Sequence, residues 1–210
     1  LGDVYKRQMQ AKLTPHFILS LLTDIANLSV LENAPKTNQM AVALAQYLKY
    51  SLCTTGDNIL LSDELKQIES YFNMLKIKYE DAFTYSITAK KEIDMLRIPS
   101  HILFPFLDRA ASLITVNTGH LDIAISIFCE NGYTTIDIVS DYNPDNEESN
   151  PASSFKNFPD NDTFRSLISN IRQRLYSIFG NNYEIKESYQ SNSKIHDIIK
   201  LPISHEERIM

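Results

Sequence analysis

The sequence predicts an α+β protein in which an N-terminal helical hairpin is followed by helices on one face of a mixed, mostly antiparallel sheet. Three observations lead to this fold class. Apolar residues recur at helical spacing through the first third of the chain. Beyond residue 81 the pattern changes to strict alternation, which is typical of half-buried strands. Helical patterns then separate the strands, as they do in layered α+β domains.

The composition argues against several classes of function. The 210 residues carry a formal net charge of −6 and are 43% hydrophobic, which suits a globular protein of one or two domains. No cluster of Lys and Arg is dense enough for a nucleic-acid surface, so we expect no nucleic-acid partner. No apolar run reaches about 18 residues, so we expect no membrane contact within this chain. Cys53 and Cys129 fit neither a disulfide framework nor a metal site.

The two ends of the chain lack a recognisable pattern. Residues 1–8 are interpreted as an assembly scar or a disordered segment, and residues 204–210 as a tail. Because the first residue is Leu1 rather than Met, we expect a fragment whose upstream part is missing.

Two helices joined by a short link open the ordered part. They are predicted over about residues 9–31 and 37–52, with Pro35 in the link. Each helix has an apolar stripe that one hairpin does not cover. This favours a four-helix dimer, while packing on the rest of the same chain is the alternative.

A third amphipathic helix is predicted over about residues 62–80. Ser62 suits its N-cap, and Asp63 and Glu64 place carboxylates in the first turn, where the helix dipole favours negative charge. Its apolar stripe is interpreted as ordinary core.

The second half of the chain mixes strands and helices. Asn131 and Gly132 predict the turn of a β-hairpin, and Gly180 ends a helix at a C-cap position. The other predicted elements are strands over about 83–87, 121–129, 133–140, 183–189 and 194–201, helices over about 101–114 and 164–178, and a polar loop over 141–162.

Pro15 and His16 form the first candidate site. A proline inside a helix removes a backbone hydrogen bond and clashes with the preceding turn, at a cost of about 3 kcal/mol. The neutral imidazole that follows is a competent nucleophile near neutral pH. The alternative is a surface histidine near a helix start, with Pro15 in the first turn.

The order of these motifs resembles that of the LytS-like sensor histidine kinases of bacterial two-component systems. Residues 14–20 (Thr-Pro-His-Phe-Ile-Leu-Ser) lie on the family's phosphoacceptor motif, and residues 48–52 (Leu-Lys-Tyr-Ser-Leu) on the signature of its second helix. Residues 61–79 match in pattern and place. Residues 99–110 lie on the motif that ends in Glu-Asn-Ala, and residues 170–180 on a late Asn-x-x-x-Arg-Leu…Gly motif.

The resemblance implies a domain organisation, an activity and partners. Residues 9–81 would supply dimerisation and the phosphoacceptor His16, and residues 82–203 would form a GHKL-type ATP-binding domain. With ATP and Mg²⁺ as cofactors, the protein would phosphorylate His16 and pass the phosphate to a response regulator. It would act as a homodimer or as a heterodimer with a related kinase. The family also implies a cytoplasmic fragment of a protein attached to the inner membrane through a missing N-terminal sensor part.

The resemblance further implies which residues meet the nucleotide. In the family, an Asn on the first long helix of the ATP-binding domain holds Mg²⁺, and an Asp at a strand end takes the adenine amine. Here Arg109, beside Asp108, stands at the first position, and Asp141 matches the second. Asn170 and Arg174 match the late motif. Asp141 as an ordinary polar residue at a strand end is the alternative.

Two departures from the family put ATP binding in doubt. Arginine offers no oxygen to a cation and carries a fixed positive charge, so the usual Mg²⁺ ligand is missing. The glycine motifs are missing as well, because no glycine lies between Tyr133 and Phe179. Close approach of the backbone to a nucleotide requires residues without a Cβ.

The sequence therefore leaves open whether the chain is an enzyme. One hypothesis is an impaired protein histidine kinase that phosphorylates His16. The second is a non-catalytic signalling and dimerisation module that binds ATP weakly or not at all, and a third is a pocket that binds another anion. Arg109 would either pair with a phosphate or form a salt bridge with a neighbouring carboxylate in a collapsed pocket.

Overall fold

The computed structural model describes residues 2–53, 58–89, 96–116, 119–144, 161–189 and 194–203. The tail over 204–210 and most of the polar loop predicted over 141–162 lie outside the described residues. The chain divides into two compact units. Unit 1 comprises Leu1–Gly56 and Leu65–Lys78, and unit 2 comprises Asp57–Glu64 and Tyr79–Met210.

Unit 1 is helical. Helix α1 comprises Gly2–Leu31, α2 comprises Pro35–Cys53, and α3 comprises Leu61–Tyr79. Helices α1 and α2 pack along each other as the predicted hairpin. Helix α1 begins well before residue 9. The first turn of α3 belongs to unit 2, so this helix is shared by both units.

Small and polar side chains fix the helices of unit 1. Ala26 on α1 and Ala41 on α2 are buried, and the Asn38 side chain donates a hydrogen bond to the Ala26 carbonyl at 2.8 Å. The Gln67 amide on α3 donates to the Ser51 hydroxyl on α2 at 2.7 Å. These side chains stabilise the packing that the apolar periodicity predicts.

Unit 2 contains strands in two sheets. Its described strands are β1 (Asn58–Leu60), β2 (Phe83–Ala89), β3 (Arg97–Pro99), β4 (Gly119–Glu130), β5 (Tyr133–Pro144), β6 (Glu184–Tyr189) and β7 (Lys194–Pro202). The larger sheet has the order β2–β4–β5–β7–β6. Strands β2 and β4 are parallel, and the other neighbours are antiparallel. The predicted α+β fold with a mixed, mostly antiparallel sheet is confirmed.

One face of the larger sheet forms the core of unit 2. Helix α4 (Phe104–Val116) contacts β4, β5 and helix α5 (Asn161–Phe179). Along β4, Leu121, Ile123 and Ile125 are buried, whereas Asp122 and Ser126 are exposed. The strict alternation in the sequence therefore corresponds to one covered face and one solvent face.

The two predicted glycine positions are confirmed. Asn131 and Gly132 have φ values of 53° and 79° between β4 and β5, which is the left-handed pair of a type I′ hairpin turn. Gly180, at φ 60°, follows the last residue of α5. Its amide donates to the Tyr176 carbonyl at 2.8 Å, as expected of a C-cap.

Three local predictions are wrong. Helix α3 begins at Leu61, so Ser62 lies within its first turn instead of capping it. Helix α4 begins at Phe104 rather than near residue 101, because Pro105 suits a first helical turn and His101 has a left-handed φ of 61°. Strand β5 continues to Pro144, so Asp141 is not at its end.

The small sheet of β1 and β3 was absent from the sequence prediction. These strands pair antiparallel, with Ile59 opposite Ile98. Three-residue strands are too short to display an alternating pattern. No helix in the described part of the chain combines the length and the apolar character needed to cross a membrane.

Candidate functional site

His16 lies on α1, and its side chain is exposed. Since α1 begins at Gly2, Pro15 lies in the helix interior, and the alternative that places it in a first turn is wrong. An exposed imidazole on a helix surface is accessible to a reactant from solution.

Exposed apolar side chains follow His16 along α1. Phe17, Leu21, Ile25 and Leu28 are all exposed. Their spacing of three or four residues places them on one face of the helix. A contiguous apolar surface of this kind marks a protein–protein interaction site.

Arg109 is buried on α4 between two carboxylates. Its Nη2 donates to Asp197 Oδ2 at 2.5 Å, and its Nη1 donates to Glu187 Oε2 at 3.2 Å. The side chains of Arg109 and Asp197 are 7% and 1% exposed. The interaction is therefore an ion pair inside the core rather than a surface salt bridge.

Strand pairing places the two carboxylates together. Glu187 on β6 lies directly opposite Asp197 on β7. Like charges in this register repel each other. The planar guanidinium of Arg109 provides donors for both carboxylates at once, which a Lys ammonium would do less well. The negative charge of the paired strands thus explains a positive residue at this position of α4.

An aromatic ring completes the surroundings of the guanidinium. Arg109 Cζ lies 4.1 Å from the ring centre of Phe164 on α5 and 6.0 Å from that of Phe106 on α4. The two rings meet edge to face, with centres 6.0 Å apart. Cation–π contacts of this kind favour a guanidinium over a neutral side chain. We refer to Arg109, Glu187, Asp197 and Phe164 as the Arg109 cluster.

The electrostatics of the cluster are governed by burial. Burial raises the pKa of Asp197, while the charge of Arg109 and its hydrogen bond act in the opposite direction. Asp197 Oδ1 is buried and has no hydrogen-bond partner among the described residues. The carboxylate therefore depends on its contact with Arg109, and removing the guanidinium would leave a buried charge uncompensated.

The Arg109 cluster does not fit Mg²⁺. This ion requires oxygen ligands in near-octahedral geometry, and Arg109 supplies only donors and a positive charge. The nearest carboxylate oxygens, on Glu187 and Asp197, already accept hydrogen bonds from Arg109. Among the described residues, no group of three or more His, Cys, Asp or Glu could hold a metal ion. Of the two arrangements that the sequence leaves open for Arg109, the structure shows the salt bridge with neighbouring carboxylates.

Asp141 lies on the opposite face of the sheet from the Arg109 cluster. Along β5, Ile138 and Ser140 are buried, and Asp141 belongs to the alternate, partly exposed set. Its Oδ2 lies 3.1 Å from Lys194 Nζ in a surface ion pair. Asp197 is paired with Ile138 and shares the buried face. Asp141 and Arg109 are thus not brought to one site.

The other three predicted nucleotide residues occupy separate positions. Asp108 on α4 and Asn170 on α5 are exposed. Arg174 on α5 donates to the Ser100 carbonyl at 2.7 Å and to its hydroxyl at 3.2 Å. Among the five residues predicted to bind the nucleotide, Arg109 is the one that is buried.

Sequence reasoning missed Glu187, Asp197 and Phe164. A usable signal was present for Asp197, because it occupies a core position of an alternating strand between Ile195 and Ile199. A carboxylate on the apolar face of a strand requires a buried partner. Nothing in the local pattern identified that partner as Arg109.

The Arg109 cluster predicts a large effect of removing its cation. Arg109→Ala should lower the free energy of unfolding by about 3–5 kcal/mol, because it leaves two opposed carboxylates without their partner. Urea denaturation at neutral pH measures this difference. A variant as stable as the wild type would contradict the buried ion pair.

Arg172→Ala is the matched control. Arg172 Nη2 lies 3.7 Å from the other oxygen of Glu187, but its side chain is 45% exposed. Exposed ion pairs contribute about 0–1 kcal/mol. The control variant should therefore unfold at nearly the same urea concentration as the wild type.

Comparison with known proteins finds a matching family model and similar curated sequences. Residues 6–83 match the family model described as Histidine kinase. The Sensor protein kinase HptS of Staphylococcus aureus strains USA300 and NCTC 8325 / PS 47 is 30% identical over 128 residues, which cover 60% of this chain and 24% of the relative. The chain thus spans about a quarter of the length of these curated relatives.

Two solved structures are similar at low sequence identity. The Acinetobacter baumannii histidine kinase AdeS has a TM-score of 0.47 and 13% identity, with 91% of this chain and 96% of that chain covered. The catalytic domain of histidine kinase ThkA has a TM-score of 0.42 and 17% identity, with 72% and 97% covered. The helical part of the chain is thus similar to the Histidine kinase family model, and 60% of the chain is similar to part of the sensor kinase HptS.

Proposed function

We propose that this chain is a signalling module of a LytS-like two-component sensor histidine kinase. In this proposal His16 is a phosphoacceptor, and the ATP-binding-like domain does not itself deliver phosphate from Mg²⁺ and ATP. Residues 9–81 act in dimerisation and phosphate acceptance, and residues 82–203 form a degenerate GHKL-type domain. The module works in the cytoplasm, and the full-length protein is attached to the inner membrane.

The Arg109 cluster is the observation that carries the proposal. In the family that the sequence resembles, this position holds the carboxamide that binds Mg²⁺. Here its occupant is a guanidinium that donates to Glu187 and Asp197 and contacts Phe164. The Arg109 side chain is 7% exposed and both of its terminal nitrogens already donate to carboxylates, so a nucleotide phosphate would have to compete with them. This argues against the alternative in which Arg109 binds a phosphate or another anion.

The phosphoacceptor role is supported by the surroundings of His16. Its side chain is exposed on a continuous helix. A neutral imidazole nitrogen attacks the terminal phosphorus of ATP bound to a partner kinase, the bond from that phosphorus to the ADP oxygen breaks, and ADP leaves. The phosphoryl group on His16 is then available to a carboxylate of a response regulator. Phosphorylation by a partner kinase requires only that the ATP-binding domain of that kinase can reach His16.

The exposed apolar face of α1 supports dimerisation. Phe17, Leu21, Ile25 and Leu28 present large apolar side chains to solvent in the isolated chain. Full burial of such a side chain contributes about 1.5–3 kcal/mol, and because these residues are 44–61% exposed, covering each of them would contribute about half of that. A second copy, or a related kinase with a similar helical hairpin, would cover this face. In the proposal, the heterodimer is the form in which His16 becomes phosphorylated.

A phosphotransfer assay tests the proposed function. The full chain, incubated alone with γ-labelled ATP and Mg²⁺, should remain unlabelled. When mixed with an active kinase of the same family whose own acceptor histidine is replaced, it should gain acid-labile phosphate. His16→Ala should abolish this label.

Two outcomes would refute the proposal in different ways. Labelling of the chain alone would show that its ATP-binding-like domain is active and would support the impaired-kinase hypothesis. Equal labelling of the wild type and His16→Ala in the mixture would show that His16 is not the acceptor.

Dimerisation predicts the mass of the particle in solution. The full chain should scatter light as a particle of twice its 24.0 kDa mass. Leu21→Asp should shift it towards the monomer, because it places a charge in the apolar interface. Leu167→Asp on α5 is the control, since Leu167 and Leu21 are 42% and 44% exposed. A monomeric wild type at high concentration would exclude the homodimer.

A further inference from the structure

Glu64, in the first turn of α3, is a buried carboxylate with two backbone partners. The residue is 1% exposed. Its Oε2 accepts a hydrogen bond from the His101 amide, and its Oε1 accepts one from the Leu103 amide, both at 2.8 Å. We call this arrangement of Glu64 with the two amides the Glu64 cap.

The Glu64 cap lies at the start of α4. The Leu103 carbonyl accepts hydrogen bonds from the amides of Phe106 and Leu107, so Leu103 stands at the N-cap of that helix. Amides at a helix N-terminus lack partners within the helix, and the helix dipole favours negative charge there. Glu64 thus provides, from another helix, the interaction that a capping side chain normally provides locally.

The same turn is held from a second side by α5. Arg174 donates to the carbonyl and the hydroxyl of Ser100, immediately before the two amides that Glu64 binds. Between these contacts, His101 adopts a left-handed φ of 61°. A non-glycine residue in this conformation needs support from its surroundings. The turn over residues 100–103 therefore depends on one anion from α3 and one cation from α5.

We propose that the Glu64 cap is a proton-sensitive contact that sets how tightly the first turn of α3 holds the start of α4. The ionised carboxylate accepts hydrogen bonds at both oxygens. Once the carboxyl group is protonated, the oxygen that carries the hydrogen is a poorer acceptor, so one of the two hydrogen bonds is weakened. The inference goes beyond the proposed function, because it depends on neither ATP nor His16.

The surroundings of Glu64 place the protonation of its carboxylate near neutral pH. Burial raises the pKa of Glu64 from 4.5 to about 7, although the backbone hydrogen bonds and the charge of Arg174 lower it. Arg174 on α5 is the charged side chain that acts on Glu64, and His101, in the turn itself, carries the neighbouring imidazole. Burial and Arg174 both lower the pKa of His101.

The raised pKa of Glu64 determines whether protonation stabilises or destabilises the folded protein. The folded protein holds the Glu64 proton more tightly than the unfolded chain does, so protonation favours folding. This contribution is fully present below about pH 4.5 and is lost as the pH rises through about 7. The protonated form thus adds to global stability while it loosens one local hydrogen bond.

Amide NMR on the full chain tests the proposal. Between about pH 5 and 9 the amide signals of His101 and Leu103 should follow one transition with a shared midpoint near the raised pKa of Glu64. On the acidic side, the protection factor of one of these amides, which is its exchange rate corrected for the intrinsic pH dependence of amide exchange, should fall about tenfold, because its hydrogen bond to Glu64 is weakened. Glu64→Gln should abolish the transition, and Glu69→Gln, an exposed position on the same helix, should leave it unchanged.

The variant His101→Asn distinguishes titration of Glu64 from titration of the His101 imidazole. Asn tolerates a left-handed φ, so this variant keeps the turn and removes the imidazole beside the cap. The two amide transitions should persist in it. Their loss in His101→Asn, or their absence from the wild type, would overturn the proposal even if Glu64→Gln does not fold. Persistence of the transitions in a folded Glu64→Gln variant would overturn it as well.

Discussion

The buried contact of Arg109 with Asp197 and Glu187 is the constraint on which the structure of unit 2 depends. Pairing of β6 with β7 places two carboxylates opposite each other, and Asp197 lies on the covered face of the sheet. A buried carboxylate without a cation would cost several kcal/mol. Because Arg109 lies on α4 and contacts Phe164 on α5, one guanidinium joins the sheet to both helices that surround it.

This constraint also bears on function. By the sequence resemblance, the residue that stabilises the core corresponds to the position at which LytS-like kinases bind their metal ion. One side chain cannot do both, since a guanidinium has no lone pair for a cation. His16, in contrast, lies on exposed helix surface, where it is not required for packing. The proposed function rests on this contrast: the Arg109 cluster stabilises the core, whereas His16 is accessible to a phosphate donor.

Local features of the fold could be predicted from the sequence, and long-range contacts could not. The turn at Asn131–Gly132 and the helix end at Gly180 follow from backbone preferences that each residue carries by itself. The departure at Arg109 was also visible. Its partners were not, because they lie 78 and 88 positions away, and Glu64 is separated from its two amides by 37 and 39 positions.

Calorimetric titration of the full chain with ATP, first with Mg²⁺ and then with EDTA, tests most directly whether Arg109 has removed the metal site. The account predicts either no heat of binding or a weak isotherm that is the same in both buffers. Arg109→Asn should not by itself restore tight binding, because the chain has no glycine between Tyr133 and Phe179 to let the backbone approach a nucleotide. Tight binding by the wild type that disappears with EDTA would contradict the account, since another residue would then supply the Mg²⁺ ligand.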